Sequence, residues 1–186
     1  MGKRLSEMSL SELWQLFPII LTEHQECWKD WYREEESQLK RILPPEVRIA
    51  HIGSTAIASI WAKPIIDILV GVPVNTRPED YKNAIVTGGY ICMHHGENGI
   101  SFNKGYTENG FAERVYHLHL RHMNHDGELY FRDYLLEHPD VAKAYEKLKL
   151  ALWKEYEHDR DAYTNAKAEF VRKYTARAKL LYGQRY

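Results

Sequence analysis

Apolar and polar positions follow both strand and helix periods along this chain, and the composition shifts near residue 126. Before it, β-branched runs alternate with glycine- and proline-bearing turns. After it, apolar residues recur at helical spacing among Ala, Lys, Glu, Tyr and Leu. Ser9-Leu10-Ser11-Glu12 has the form of a capping box and predicts a short helix ending at Pro18. The spacing of Trp28, Trp31, Tyr32, Leu39, Ile42 and Leu43 predicts a long helix over 22–42, stopped by Pro44-Pro45. Strands are predicted over 47–52 and 64–72, with a turn at Gly53-Ser54-Thr55 between them. A helix over 77–86 is broken by Gly88-Gly89. Three strands follow at 90–93, 100–104 and 112–123, with turn signals at Asn98-Gly99 and Asn109-Gly110. The rest reads as helices over 128–137, 139–156 and 159–181, with Pro139 in a first turn and Gly183 as a stop.

The expected fold class is therefore α+β (α/β): a mixed sheet flanked by helices, then a helical tail. One domain is expected, with residues 22–126 as the sheet core with its long N-terminal helix and 127–183 as the helical part. The short Asp126-Gly127 connection implies that the tail packs on the sheet.

Composition narrows the partners. The 186 residues carry 25 basic and 26 acidic side chains, so nothing in the total calls for nucleic acid or an anionic membrane. The longest tempting apolar stretch, 65–74, contains Asp67 and is much shorter than the roughly 20 residues a spanning helix needs. Met1 to Glu12 lacks the apolar core of a secretory leader. Cys27 and Cys92 have no CxxC partner and read as plain buried thiols in a reduced compartment. A cytoplasmic protein without a membrane partner is expected.

Three constellations carry chemistry. Gly53-Ser54-Thr55 follows a strand, where backbone N–H groups and a hydroxyl can face an anion; it also reads as an ordinary turn. Asp67 stands inside the apolar run Ile65 to Val70, sharing its face with Ile65, Leu69 and Gly71. A lone carboxylate there must be paired, hydrogen-bonded or metal-bound. In Val115 to Arg121, Tyr116, Leu118 and Leu120 point to one side and His117, His119 and Arg121 to the other. Two imidazoles so spaced chelate a metal, bracket a phosphate or simply face water. His94-His95 and His122…His125 read as surface histidines. The tail's aromatics fall at core spacing, and its lysines and arginines, interleaved with acids, read as solvated helix faces.

Together these segments resemble the GrpB family. The resemblance rests on His51-Ile52-Gly53-Ser54-Thr55-Ala56, Ala62 to Val70, Tyr116-His117-Leu118-His119-Leu120, Phe131 to Pro139 and Tyr145-Glu146-Lys147-Leu148-Lys149. It implies the nucleotidyltransferase fold, in which a Gly-Ser turn holds phosphates and three strand-borne acids hold two metals. Here Gly53-Ser54 matches the turn and Asp67 the first acid. Leu69 stands at the second acid position, and no carboxylate lies between Val115 and Arg121. What remains implied is a nucleotide or phosphorylated metabolite as ligand, with nucleotidyl or phosphoryl transfer as the reaction class. Asp67, His117 and His119 would hold one divalent metal (manganese, zinc or magnesium) and serve as catalytic residues, while Gly53, Ser54, Thr55, Lys63 and Arg121 would bind the ligand. The alternative is a degenerate member that binds a nucleotide or a partner without turnover.

Overall fold

The computed structural model describes residues 4–186. Part of the leader reading, residues 1–3, lies outside the described residues. A 3-10 turn at Leu5–Glu7 precedes α1 (Leu10–Leu16). The capping box at its start is reciprocal: Glu12 N–H donates to Ser9 Oγ at 3.3 Å, and Ser9 N–H donates to Glu12 Oε2 at 2.8 Å. The long helix α2 (Cys27–Ile42) begins later than the sequence pattern suggests. Thr22 is the reason, because its N–H and carbonyl are spent on an antiparallel bridge with Ala62, at 2.9 and 3.0 Å. Cys27 opens that helix fully exposed, not buried as expected, and both cysteines are free thiols.

The remaining elements are β1 (Arg48–Ile52), β2 (Ile66–Val72), α3 (Glu79–Thr87), β3 (Ile91–Gly96), β4 (Gly99–Thr107), β5 (Gly110–His122), α4 (Gly127–Glu137), α5 (Pro139–Tyr156) and α6 (Arg160–Tyr182). Their order matches the order read from the sequence, with ends displaced by a few residues. The five strands form one mixed sheet in the order β1-β2-β5-β4-β3. Only β2 and β5 run parallel; the other pairs are antiparallel. The central strands β2 and β5 are thus flanked on both sides, as the near-continuous apolar run of β2 requires.

The period-2 pattern of these strands divides the core. Ile66, Ile68, Val70, Leu118 and Leu120 point to one face and pack with Phe102 against Trp28 and Leu39 of α2 and Tyr81 and Ile85 of α3. The opposite face carries the polar set and lies under the tail. Tyr130, Tyr134 and Leu135 of α4 pack with Tyr145 of α5, Ala178 of α6 and Ile57 and Ile60 beside the Gly53 turn. Polar ties pin the same layer: Trp61 N–H donates to Glu146 Oε2 at 2.6 Å, and Arg132 Nη1 to the His51 carbonyl at 2.9 Å. Among the described residues, no helix is long and apolar enough to cross a membrane.

Candidate functional site

The site forms where the polar face of β2 and β5 meets α4, α5 and α6. Register fixes its floor. Asp67 on β2 pairs with Ile52 on one side and with His117 of β5 on the other, while His119 pairs with Leu69. Asp67 Oδ1 lies 3.4 Å from His117 Nδ1 and 3.7 Å from His119 Nε2. The Asp67 side chain is 29% exposed, so its carboxylate opens into the cleft.

Gly53 follows Ile52 with φ +70°. A side chain there would be strained, and its Cβ would collide with the Asp67 carboxylate. Only glycine allows the backbone of the turn to lie against Asp67. Ser54–Ala56 then form a 3-10 turn.

Tyr106 comes from a kink in β4. The ladder shifts register between Lys104 and Tyr106, and Gly105 there has φ +89°. This turns Tyr106 to the face of His117, whose Nε2 lies 2.8 Å from the Tyr106 hydroxyl. Arg160 Nη1 donates to the same hydroxyl at 2.9 Å. Asp67, His117, Tyr106 and Arg160 thus form one connected polar chain.

The helical layer contributes cations. Along α5 the buried positions are Val141, Ala142, Tyr145, Lys149 and Leu152, so Lys149 occupies a core position of an apolar stripe. Its Nζ donates to Ser54 Oγ at 2.9 Å and to the Trp61 carbonyl. Lys63 and Lys167 have no hydrogen-bond or ion-pair partner among the described residues. Both ammonium groups lie over the Tyr163 ring, at 5.6 and 4.6 Å from its centroid. Arg132 is committed to Asp133, at 2.7 and 2.8 Å, and to the His51 carbonyl. The cleft measures about 550 Å³, and its lining includes Gly53, Ser54, Lys63, Asp67, Lys149 and Lys167.

Electrostatics follow from this crowding. Burial pushes the Lys63 ammonium down to about 7, and Lys167 and Arg160 add to the effect. Burial and Lys167 bring Lys149 to about 7 as well. Lys167 is lowered for the same first reason. Burial alone would raise Asp67, but the two imidazoles of His117 and His119 beside it outweigh burial and hold the carboxyl well below its usual range. Burial lowers His117 against the pull of Asp67. A carboxylate held low and three lysines pushed down by burial therefore share one cavity.

The structure brings Gly53, Ser54, Lys63, Asp67, His117 and His119 together at the cleft. It does not bring Arg121 there: that guanidinium turns to the neighbouring strand, donating at 3.0 Å to the carbonyls of Ile100 and Leu120. Thr55 lines the cleft, but its hydroxyl is buried and spent, donating to the Ile65 carbonyl at 3.3 Å and lying 3.0 Å from His51 Nε2. Leu69 is buried with Ile52 under Leu129 of α4, so the second acid position is filled by packing. Lys149 and Lys167 correct the reading of the tail's cations as solvated, since both turn inward. Their place four residues after Tyr145 and Tyr163, on apolar stripes, is the signal in the sequence that marks them.

This sheet, with a Gly-Ser turn against a strand-borne Asp, belongs to the nucleotidyltransferase type of fold. The Cid1 poly(U) polymerase, solved with MgGTP bound, superposes with a TM-score of 0.51 at 13% identity, over 71% of this chain and 43% of that one. The chain itself belongs to the GrpB family, whose profile, described as GrpB protein, matches residues 18–177. The crystal structure of GrpB from Enterococcus faecalis is similar with a TM-score of 0.73 at 29% identity, covering 88% of this chain and 99% of that one. The Bacillus subtilis protein YqkA is 34% identical over 172 residues. That match covers 88% of this chain but 49% of YqkA, so the chain spans about half the length of that relative.

Proposed function

We propose that the cleft binds the polyphosphate of a nucleotide or phosphorylated metabolite, together with one divalent metal. The observation that carries this reading is the convergence of Lys63, Lys149 and Lys167 on Ser54 and Asp67 inside one cavity. Two of these lysines, Lys63 and Lys167, have no hydrogen-bond or ion-pair partner among the described residues. Keeping unpaired ammonium groups in such a place is costly for folding, and an anion with several charges offsets the cost. Ser54, oriented by Lys149, and the turn at Gly53 face the phosphates.

The donors fit a metal that arrives with its ligand. Distances of 3.4 and 3.7 Å from Asp67 to the two imidazoles are long for hydrogen bonds. They are near the separation of about 3.4 Å between neighbouring ligands of a tetrahedral ion with bonds of about 2.1 Å. Among the described residues, no three His, Cys, Asp or Glu side chains are placed to hold a metal ion by themselves. Asp67, His117 and His119 would hold the ion together with phosphate oxygens, and the ion would neutralise phosphate charge. The hydroxyl of Tyr106 at His117 Nε2 fixes which nitrogen faces Asp67. The MgGTP in Cid1 makes a metal–nucleotide complex the first ligand to test.

Nucleotidyl or phosphoryl transfer is the reaction class this reading implies. Leu69 under Leu129 favours the second reading, a protein that binds the same ligand without turnover, because it leaves no second carboxylate on β2. The test is calorimetric titration with ATP, GTP and UTP, with and without manganese, on the protein and on Asp67→Asn. Saturable binding that needs manganese and Asp67 supports the metal–nucleotide site, and product formation then separates enzyme from binder. If neither a nucleoside triphosphate nor inorganic tripolyphosphate binds with or without metal, the reading is wrong.

A further inference from the structure

A second cavity of about 860 Å³ opens on the other side of His117. Its wall is formed by α1 and the aromatic rings of Trp14, Phe17 and Tyr106; its mouth is formed by β3. The two cavities share Lys63, His117 and Thr164. One row of register partners connects them across the sheet: Ile91 faces Asn103, Asn103 faces His117, and His117 faces Asp67. A molecule lying in the second cavity would meet the contents of the first across a single imidazole.

Two features show what this cavity suits. Its mouth is lined by apolar side chains left in solvent: Leu10 is 63% exposed, Ile91 50% and Met93 57%. Apolar groups gathered on an edge strand at a cavity mouth are a feature of binding surfaces. The interior holds donors that the protein does not use. Arg160 spends Nη1 on Tyr106, but its Nη2 is buried with no hydrogen-bond partner. Lys63, half-buried, has no hydrogen-bond partner among the described residues. Leaving a buried charged donor unpaired costs stability that an acceptor in the cavity would return. The two acids of the lining, Glu108 and Asp161, are both exposed at its rim, so the interior is cationic and the edge is not.

We propose that this second cavity binds a small aromatic carboxylic acid, its ring against Trp14, Phe17 and Tyr106 and its carboxylate on Arg160 and Lys63. This goes beyond the polyphosphate reading and does not depend on it, because the cavity's own donors and walls define the ligand. The bidentate match of guanidinium to carboxylate selects an acid over a neutral analogue.

The probe is 2-naphthylacetate, with 2-(2-naphthyl)ethanol as its neutral partner, titrated calorimetrically into the nucleotide-free protein. The acid is expected to bind saturably and at least fivefold more tightly than the alcohol. Arg160→Gln should bring the two affinities together, and Met93→Lys, at an exposed position, should weaken both at least tenfold with an unchanged melting temperature. Absence of saturable binding below millimolar concentration overturns the proposal. So does equal affinity for acid and alcohol in the unaltered protein. A concentration-dependent dimer in sedimentation that Met93→Lys dissociates would assign the apolar mouth to a second copy of the chain and likewise overturn it. Because no nucleotide is present, failure of the polyphosphate reading leaves these outcomes intact.

Discussion

Lys149 on α5 reaches Ser54, 95 residues earlier in the chain, and donates to its hydroxyl at 2.9 Å. The lysine occupies a buried place that the helix pattern reserves for an apolar side chain. Lys149→Met keeps the length and removes the charge. It should weaken tripolyphosphate binding at least tenfold in calorimetry. Stability should change by less than about 1 kcal/mol, since loss of two hydrogen bonds is offset by relief of a buried charge. A large fall in denaturation midpoint with unchanged binding would make Lys149 a structural tie.

The contact of Gly53 with Asp67 gives a sharper expectation. Gly53→Ala places a methyl group at positive φ and against the carboxylate. The backbone strain alone costs roughly 1–2 kcal/mol, and the collision adds to it. The melting temperature should fall and ligand binding should be lost together. A variant with an unchanged melting temperature would show that the turn has room that the structure does not give it.

The lowered ammonium of Lys149 predicts a pH dependence with a definite sign. Its folded value of about 7 lies below the ordinary 10.5. Between these values the unfolded chain holds a proton that the folded protein lacks, so stability from this group rises with pH across that window. Thermal unfolding of the ligand-free protein from pH 7.5 to 9.5 should show an upward contribution that Lys149→Met removes. Anion binding refills the proton, so tripolyphosphate affinity should decline as pH rises from 6.5 to 9. Titration in buffers of different ionisation enthalpy should reveal proton uptake, and affinity flat with pH would count against the cationic cleft.

Leu69 offers a test of the missing acid. Leu69→Asp restores a carboxylate two residues after Asp67, but it buries that charge beside Ile52 and Leu129. We expect a loss of roughly 3 kcal/mol or more in denaturant unfolding and no gain of a second metal in titration. A stable variant that binds two manganese ions would show that the packing of α4, not the chemistry, is what adapts.

Much of this was legible in the sequence, and for physical reasons. The strands announce their faces by alternation, so the separation of Ile66, Ile68 and Val70 from Asp67 needs no coordinates. The Gly53-Ser54 turn and the histidine pair lie within short motifs. Arg121 was misplaced because alternation assigns a face to Cα, while a long side chain chooses its own end point; here it turned to the Ile100 carbonyl. The start of α2 was placed early because the bridge from Thr22 to Ala62 joins residues 40 apart. Charge interleaving alone assigns Lys149 and Lys167 to solvent; their place on apolar stripes outweighs it and turns them inward. Tyr106 was hidden by the irregularity at Gly105, which breaks the alternation that strand reading relies on.

The seating of α5 and α6 on the sheet has a further consequence. Two of the cleft's three lysines, Lys149 and Lys167, belong to these helices, and their charges repel each other and the floor's Lys63 until something anionic sits between them. We therefore expect the third layer to open more readily when the cleft is empty than when it is filled. Amide exchange along Tyr163 to Val171 would register occupancy more sensitively than the sheet does. A bound anion acts as a clasp on that layer, so that the loosest shell of the protein becomes the gauge of what it holds.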